Sequence, residues 1–280
     1  MLEDFKLSIS ALNSYLHCAT SFYFEYILQL PRQKSEDALI GDCWHRCIQQ
    51  VFIYREQFDK FHTISWVRNI YKVDYNRIKH LLNSNIKIAS ASQNKFVAYY
   101  KANRRSWEKV HNQHKIITEK AIWNATCENV PIRGIVDKIE LNTTSNSIKI
   151  VDYKYSRYTK KKFSVAKKDT QIGGSYWRQL YFYKLLLDGS GLYTQRVENA
   201  AIDFLQTDNK GSFNQQEIVF EPEGLKRMKS IVKDSYLAIK NQAFDKGCGK
   251  DSCNWCSFVK NNEHLGSFKQ PLIDELDDCL

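Results

Sequence analysis

The chain has 280 residues, 43% of them apolar and 13% aromatic, enough for a sizeable core, which excludes disorder as a description of most of its length. No apolar run reaches the roughly 18 residues of a membrane span, and the opening MLEDFKLSIS lacks the apolar stretch of a secretory signal, so the expectation is a cytoplasmic protein whose eight cysteines are thiols or metal ligands rather than a disulfide framework. Net charge is +10, and residues 272–280 (LIDELDDCL) hold four acids and no base, which leaves the preceding part at about +14; this suits a polyanionic partner such as nucleic acid, or simply a soluble basic protein.

Ser8 or Ser10 can cap a first helix running through ALNSYLHCATSFYFEYIL until Pro31 stops it. A second helix is predicted from about Ala38 to Tyr54, and residues 65 to 114 read as two more, interrupted near NSNIKIASAS. The period then changes to two: KIITEKAIW, VPIRGIVDKIEL and SIKIVDYKY read as three strands, the last two joined into a hairpin by the turn residues NTTSN. Gly173, Gly174 and Ser175 lead into an amphipathic helix, SYWRQLYFYKLLLDG, that ends at Gly189. ENAAIDFLQT and FNQQEIVF are two further strands, and EPEGLKRMKSIVKDSYLAIKNQAF is a helix with Pro222 near its start. This order predicts an α/β protein with a mixed central sheet flanked by helices and a helical N-terminal part. With four prolines, eleven glycines, no Gly/Ser linker and no repeat, the expectation is one domain over residues 1–280. Its helical part covers about 1–115, its sheet core about 116–220, its C-terminal helix and cysteine segment about 221–260, and its acidic tail 272–280.

Three charged residues stand where these strands would ordinarily carry Val or Ile. Asp152 and Lys154 are two apart, so they share a face of their strand, and Asp137 lies on the preceding strand of the hairpin. Two carboxylates beside the main-chain carbonyl of Tyr153 make an oxygen-rich site of the kind Mg²⁺ accepts. A lysine two residues on can serve a water and neutralise charge developing at a phosphate, the pattern of metal-assisted hydrolysis. The same three residues also suit an ordinary ion pair on a solvated sheet face.

GIVD, a short hairpin and then VDYK resemble motifs II and III of the PD-(D/E)XK nucleases, in particular the RecB-like branch. LSISALNSYLHCATSFYFEY is similar to that branch's opening helix, with Cys18-Ala19 where the branch has Cys-Pro. GDCWH matches its Gly-x-x-x-His through Gly41 and His45, and QLYFY its Gln-x-x-x-Tyr through Gln179 and Tyr183. The resemblance runs in order from about residue 8 to 260. It implies a restriction-endonuclease-like fold and a Mg²⁺- or Mn²⁺-dependent deoxyribonuclease. It also implies that Asp137, Asp152, the Tyr153 carbonyl and His45 bind the metal, and that Lys154 is the catalytic lysine. Gln179 and Tyr183, one turn apart on a helix, would contact the nucleic acid or orient the catalytic residues. Glu119 corresponds to a first-strand acid with a structural or DNA-facing role. Read alone, His45 suits a packed core histidine, and Gln179 and Tyr183 suit helix packing.

Between residues 157 and 168 there are six bases and no acid: Arg157, Lys160, Lys161, Lys162, Lys167 and Lys168, interleaved with Tyr158 and Phe163. Phosphate neutralisation with base stacking on aromatics holds single strands without sequence readout, so the segment reads as a loop guiding DNA, with Arg178 as a further DNA-binding base. A solvated charged face is the plainer alternative. Cys248, Cys253 and Cys256 are spaced C-x₄-C-x₂-C. The resemblance implies a four-iron cluster on these and Cys18, although the branch's spacing is C-x₂-C-x₅-C. Zinc on the same thiolates and free thiols remain open. Cys43, Cys47, Cys127 and Cys279 suggest nothing together.

No Gly-x₄-Gly-Lys-[Ser/Thr] loop is present, so the chain carries no P-loop ATPase. The stretch GGSYWRQLYFYKLLLDG is similar to helicases of the UvrD type that end in such a nuclease domain. That implies an excised domain or the partner of a helicase, acting in recombination or repair. The rival readings are a catalytically silent DNA-binding module and a scaffold within a helicase complex.

Overall fold

Ser8 caps the first helix, α1 (Ile9–His17), by accepting from the Ala11 amide. The helix does not run on to Pro31. Cys18 takes an extended conformation, φ −163°, and its sulfur accepts from the Ser21 amide to start a separate turn, α2 (Ala19–Phe22), which widens into a π-helical turn over Tyr23–Ile27. The break exists because Cys18 is needed as a cap and because its side chain is turned toward the C-terminal segment. This is a computed structural model, and it describes residues 3–31, 34–82, 86–166 and 172–262.

Three helices follow: α3 (Glu36–Phe58), capped by Ser35, α4 (Ile64–Ile78), capped by Thr63, and α5 (Ile86–Gln113). The chain then enters a five-stranded sheet in the order β1 (Lys115–Cys127), β2 (Val130–Asn142), β3 (Ser147–Lys154), β4 (Arg196–Phe204), β5 (Gln215–Val219). All neighbours are antiparallel except β3 and β4, which are parallel and joined through helix α6 (Ser175–Ser190). The β2–β3 hairpin closes as expected, with Asn142 Oδ1 accepting from the amides of Thr144 and Ser145. Helix α7 (Pro222–Lys240) and a short α8 (Asn254–Asn261), which the periodicity does not signal, complete the fold.

The sheet separates two cores. On one face α1, α6 and α7 pack their apolar stripes on Ile132, Val136, Ile139, Ile148, Ile150 and Ala200. Helix α6 can approach β1 this closely because residue 189 is glycine: a Cβ there would lie 2.1 Å from the Thr126 carbonyl. On the other face α3, α4 and α5 bury Trp44, Phe52, Tyr71, Tyr99 and Trp107 against Ile116, Val151 and Tyr153. The two layers hold the sheet between them. Among the described residues no helix is long and apolar enough to cross a membrane.

Candidate active site

The charged strand residues gather where β2 and β3 part. Their ladder runs from Asn142↔Ser147 to Lys138↔Val151 and goes no further. The amide of Tyr153, beyond the last rung, donates instead to Asp137 Oδ2 at 2.9 Å. A carboxylate thus replaces a strand, satisfying a backbone donor that would otherwise be stranded. The side-chain alternation breaks at the same place. Val136 and Ile139, three apart, both face the α6-side core. Asp137 and Lys138 therefore both turn toward α3, where Asp137 Oδ2 lies 3.4 Å from His45 Nδ1 and the Lys138 ammonium lies over Phe52.

Glu119 stands opposite Asp137 in the β1–β2 pairing, between the rungs Thr118↔Lys138 and Lys120↔Val136. Its φ is +49°, a left-handed backbone that costs a non-glycine residue about 1–2 kcal/mol. The distortion aims its carboxylate inward, and His45, Glu119 and Asp137 each offer a ligand atom within 4.8 Å of the others'. Sequence reasoning gave Glu119 a structural or DNA-facing place; the structure sets it inside the cluster. No local signal could have shown this, because the inward turn depends on one backbone dihedral. His45 Nε2 lies 3.0 Å from the Tyr153 carbonyl oxygen, to which it donates in one tautomer. One imidazole, two carboxylates and a main-chain carbonyl are a donor set that suits Mg²⁺ or Mn²⁺.

Asp152 sits behind this group, fully buried. Its Oδ1 accepts from Gln179 Nε2 at 2.7 Å, and its Oδ2 faces Lys154 Nζ at 2.6 Å as an ion pair. Gln179 also donates to the Tyr183 hydroxyl at 3.0 Å, so the two α6 residues act as a relay that fixes the Asp152 carboxylate. Burial pushes Asp152 up to about 6 against the pull of Lys154. Burial, then the charge of Asp137, pushes Glu119 up to about 7. For Lys154 burial acts downward, but Asp152 and Asp137 outweigh it and hold the ammonium above its ordinary value. A quarter of the Lys154 side chain is exposed, toward a cleft of about 310 Å³ lined also by Asp37, Gly41, Asp42 and His45.

The basic segment folds partly into a 3₁₀ turn, Lys160–Phe163, with Lys160, Lys161 and Lys162 exposed. Lys162 Nζ donates to the Tyr176 hydroxyl at 3.0 Å, and Arg157 reaches Asn209 Oδ1 at 3.2 Å. Lys167 and Lys168 lie outside the described residues. Arg178 is not a surface base. It is buried, and its guanidinium is spent on Asn13 Oδ1 and on the carbonyls of Ile172 and Gly173, tying the loop before α6 to α1.

Six of the seven cysteines among the described residues form two groups, and Cys127 is buried apart from both. Cys18, Cys248, Cys253 and Cys256 bring their sulfurs within 4.8 Å of one another, with Cys18–Cys256 at 3.5 Å and Cys248–Cys256 at 3.8 Å. Trp255 stacks on Phe24 at 4.4 Å beside them, so the C-terminal segment is fastened to the π-helical turn. Cys43 and Cys47, which suggested nothing in sequence, meet Asp74 of α4 in a buried group of the same dimension. Arg46 already grips both Asp74 oxygens at 2.9 and 3.0 Å. A hydrogen bond with Cys47, then burial, pushes the Cys43 thiol far up, and both cysteines belong to the core under α3, α4 and α5.

A family model of the PD-(D/E)XK nuclease superfamily matches residues 6–260. No curated protein matches the sequence. Among solved structures, that of a candidate exonuclease from Eubacterium rectale is similar over 98% of this chain and 94% of its own, at 14% identity and a TM-score of 0.50, a likeness of fold alone. That of SSO0001 is aligned over 80% of this chain and 85% of its own at 14% identity, with a TM-score of 0.26, too low to bear on function.

Proposed function

This chain belongs to the PD-(D/E)XK nuclease superfamily, and we propose on that premise that it is a metal-dependent deoxyribonuclease cutting phosphodiester bonds at the β2–β3 fork. The observation that carries the reading is the meeting of His45, Glu119 and Asp137 within 4.8 Å, in front of the Asp152–Lys154 pair. His45, Glu119, Asp137 and the Tyr153 carbonyl, with the Asp152 carboxylate behind them, would hold Mg²⁺ or Mn²⁺, which when bound supplies Lewis acidity at the scissile phosphate. Lys154, at the cleft, orients the attacking water and offsets negative charge at the phosphate. Gln179 and Tyr183 keep the Asp152 carboxylate in one orientation. Lys160, Lys161 and Lys162 draw the DNA backbone in. The test is cleavage of labelled single- and double-stranded DNA with Mg²⁺, Mn²⁺ or EDTA, comparing wild type with Asp152→Ala. Metal-dependent cutting lost in the variant supports the proposal. Binding without cutting by either protein would make the chain a silent DNA-binding or scaffold module.

The cysteine corner supports a second metal of a different kind. Zn–S bonds of about 2.3 Å in a tetrahedron set sulfurs about 3.8 Å apart, whereas a four-iron cube holds its outer thiolates more than about 6 Å apart. The separations of 3.5 and 3.8 Å match the first. We propose that this corner holds a metal that fastens the C-terminal segment, and the short separations favour a single zinc ion over the four-iron cluster the family resemblance implies, with metal-free thiols as the third outcome of the test. Elemental analysis decides it: one zinc per chain in colourless protein, lost in Cys256→Ser, against brown protein carrying iron or protein carrying no metal. Action beside a helicase, in cytoplasmic recombination or repair, is the finer reading, supported by the likeness of residues 173–189 to UvrD-type helicases. Unchanged cleavage rates on adding such a helicase would count against it.

A further inference from the structure

The layer of α3, α4 and α5 covers only part of the sheet face it lies on. Ile116, Val151 and Tyr153 are buried beneath it. Farther along the β1–β2 hairpin the same face is exposed at Trp123, Arg133 and Ile135. Alternate strand residues share a face, and the pairing Ala121↔Ile135 sets Trp123 and Glu119 on one side with Arg133, Ile135 and Asp137. Ile122, Ile132 and Val136 turn the other way, into the α6-side core. Trp123 is 53% exposed and Ile135 43%, and Arg133 is exposed beside them.

This surface has an order. The Arg133 guanidinium lies over the Trp123 ring at 5.9 Å. Lys6 adds a second cation, its Nζ donating to the Trp123 carbonyl at 3.1 Å and to Asn124 Oδ1 at 2.7 Å. Four residue steps along the strand, roughly 13 Å, take the chain from Arg133 to Asp137. Ile135 lies between them. Single exposed apolar residues are ordinary on a protein surface. Here a flat indole, two cations and Ile135 lie on the strand face that leads to the carboxylate cluster.

An indole face flanked by cations suits an unpaired base and its phosphates, whereas duplex bases are already stacked on one another and cannot use it. We propose that this strip is a stacking subsite for single-stranded nucleic acid. Trp123 receives a base, Arg133 and Lys6 meet the adjoining phosphates, and the strand continues over Ile135 to the fork. The inference rests on the nuclease reading for its substrate and deepens it by naming the strand type and the residue that sets its register.

The test is equilibrium binding of a labelled single strand in Ca²⁺ or EDTA, where cutting is suppressed, alongside cleavage in Mg²⁺. Trp123→Ala should weaken binding about tenfold, and Trp123→Phe should recover most of it. An abasic site stepped along the oligonucleotide should cost wild type a similar factor at one position and cost Trp123→Ala nothing there. A merely structural role for Trp123 would not give that position-specific loss. Trp123→Ala binding as tightly as wild type, or equal sensitivity of both proteins at every abasic position, overturns the subsite. The two readings fail separately. Wild type that shows the abasic signature yet never cuts retains the subsite and sinks the nuclease. Cutting lost in Asp152→Ala with no abasic signature does the reverse.

Discussion

Asp152 and Asp203 lie on adjacent parallel strands, one register step apart, and burial pushes both carboxyls up to about 6. Their surroundings differ. Asp152 is held by Gln179 and Lys154 at a fork that opens on a cleft. Asp203 accepts from the Tyr99 hydroxyl at 2.8 Å inside the core under α5, near the buried pair of Lys138 and Glu140, 2.7 Å apart. Perturbed titration therefore does not by itself single out a catalytic carboxylate. What separates the two regions is access, and a neighbouring group of imidazole and carboxylates that converges on open space rather than on a fixed internal partner.

The widest gap between the regions should appear in catalysis. Lys154→Met is expected to lower cleavage by roughly a hundred- to ten-thousandfold with the fold intact, while Asp203→Asn keeps most activity. Equal losses in single-turnover assays would erase the distinction. Stability should show the opposite ranking. Lys138→Met strands Glu140 in the core and should cost about 3–5 kcal/mol in urea unfolding. Lys154→Met should cost less, since Asp152 keeps Gln179 and can take up a proton.

Metal demand sharpens the comparison further. His45→Ala should raise the Mg²⁺ or Mn²⁺ concentration for half-maximal cleavage by roughly ten- to a hundredfold, with little change in unfolding. The smallest effect concerns pH. An unfolded aspartate titrates near 3.9, so between about pH 4 and about pH 6 the folded chain holds an Asp203 proton that the unfolded chain has released. The stability this residue contributes is full below the lower value and is lost as pH rises through the upper one. The stability of wild type relative to Asp203→Asn should thus fall by about 1–3 kcal/mol across that window. A flat difference in paired urea titrations would show that Asp203 is ionised at no cost.

Much of this was open to a reader of the sequence. The strands around Asp137 and Asp152, the helix carrying Gln179 and Tyr183, and the mixed sheet follow from side-chain periodicity, because a period of two or 3.6 is written into any stretch longer than a turn. Spacing within one element was equally legible: Asp152 and Lys154 share a strand, and Gln179 and Tyr183 meet as expected at one helical turn. Lys138 and Glu140, two apart like Asp152 and Lys154, share a face by the same rule, yet nothing local said that their pair would be buried while Asp137 turned to the same side and met His45.

Composition, periodicity and motif order determined the fold class and most of the fork's residues. Tertiary structure alone decided four things. A left-handed backbone at Glu119 turned a strand acid into a member of the cluster. The end of the β2–β3 ladder let a carboxylate take a backbone amide. Burial made Arg178 a fastener for a loop instead of a surface base. Contact between Cys18 and the C-terminal turn joined sulfurs more than two hundred residues apart. Each depends on distances between elements, which local pattern does not encode: alternation fixes the face a side chain takes, and packing fixes what waits there.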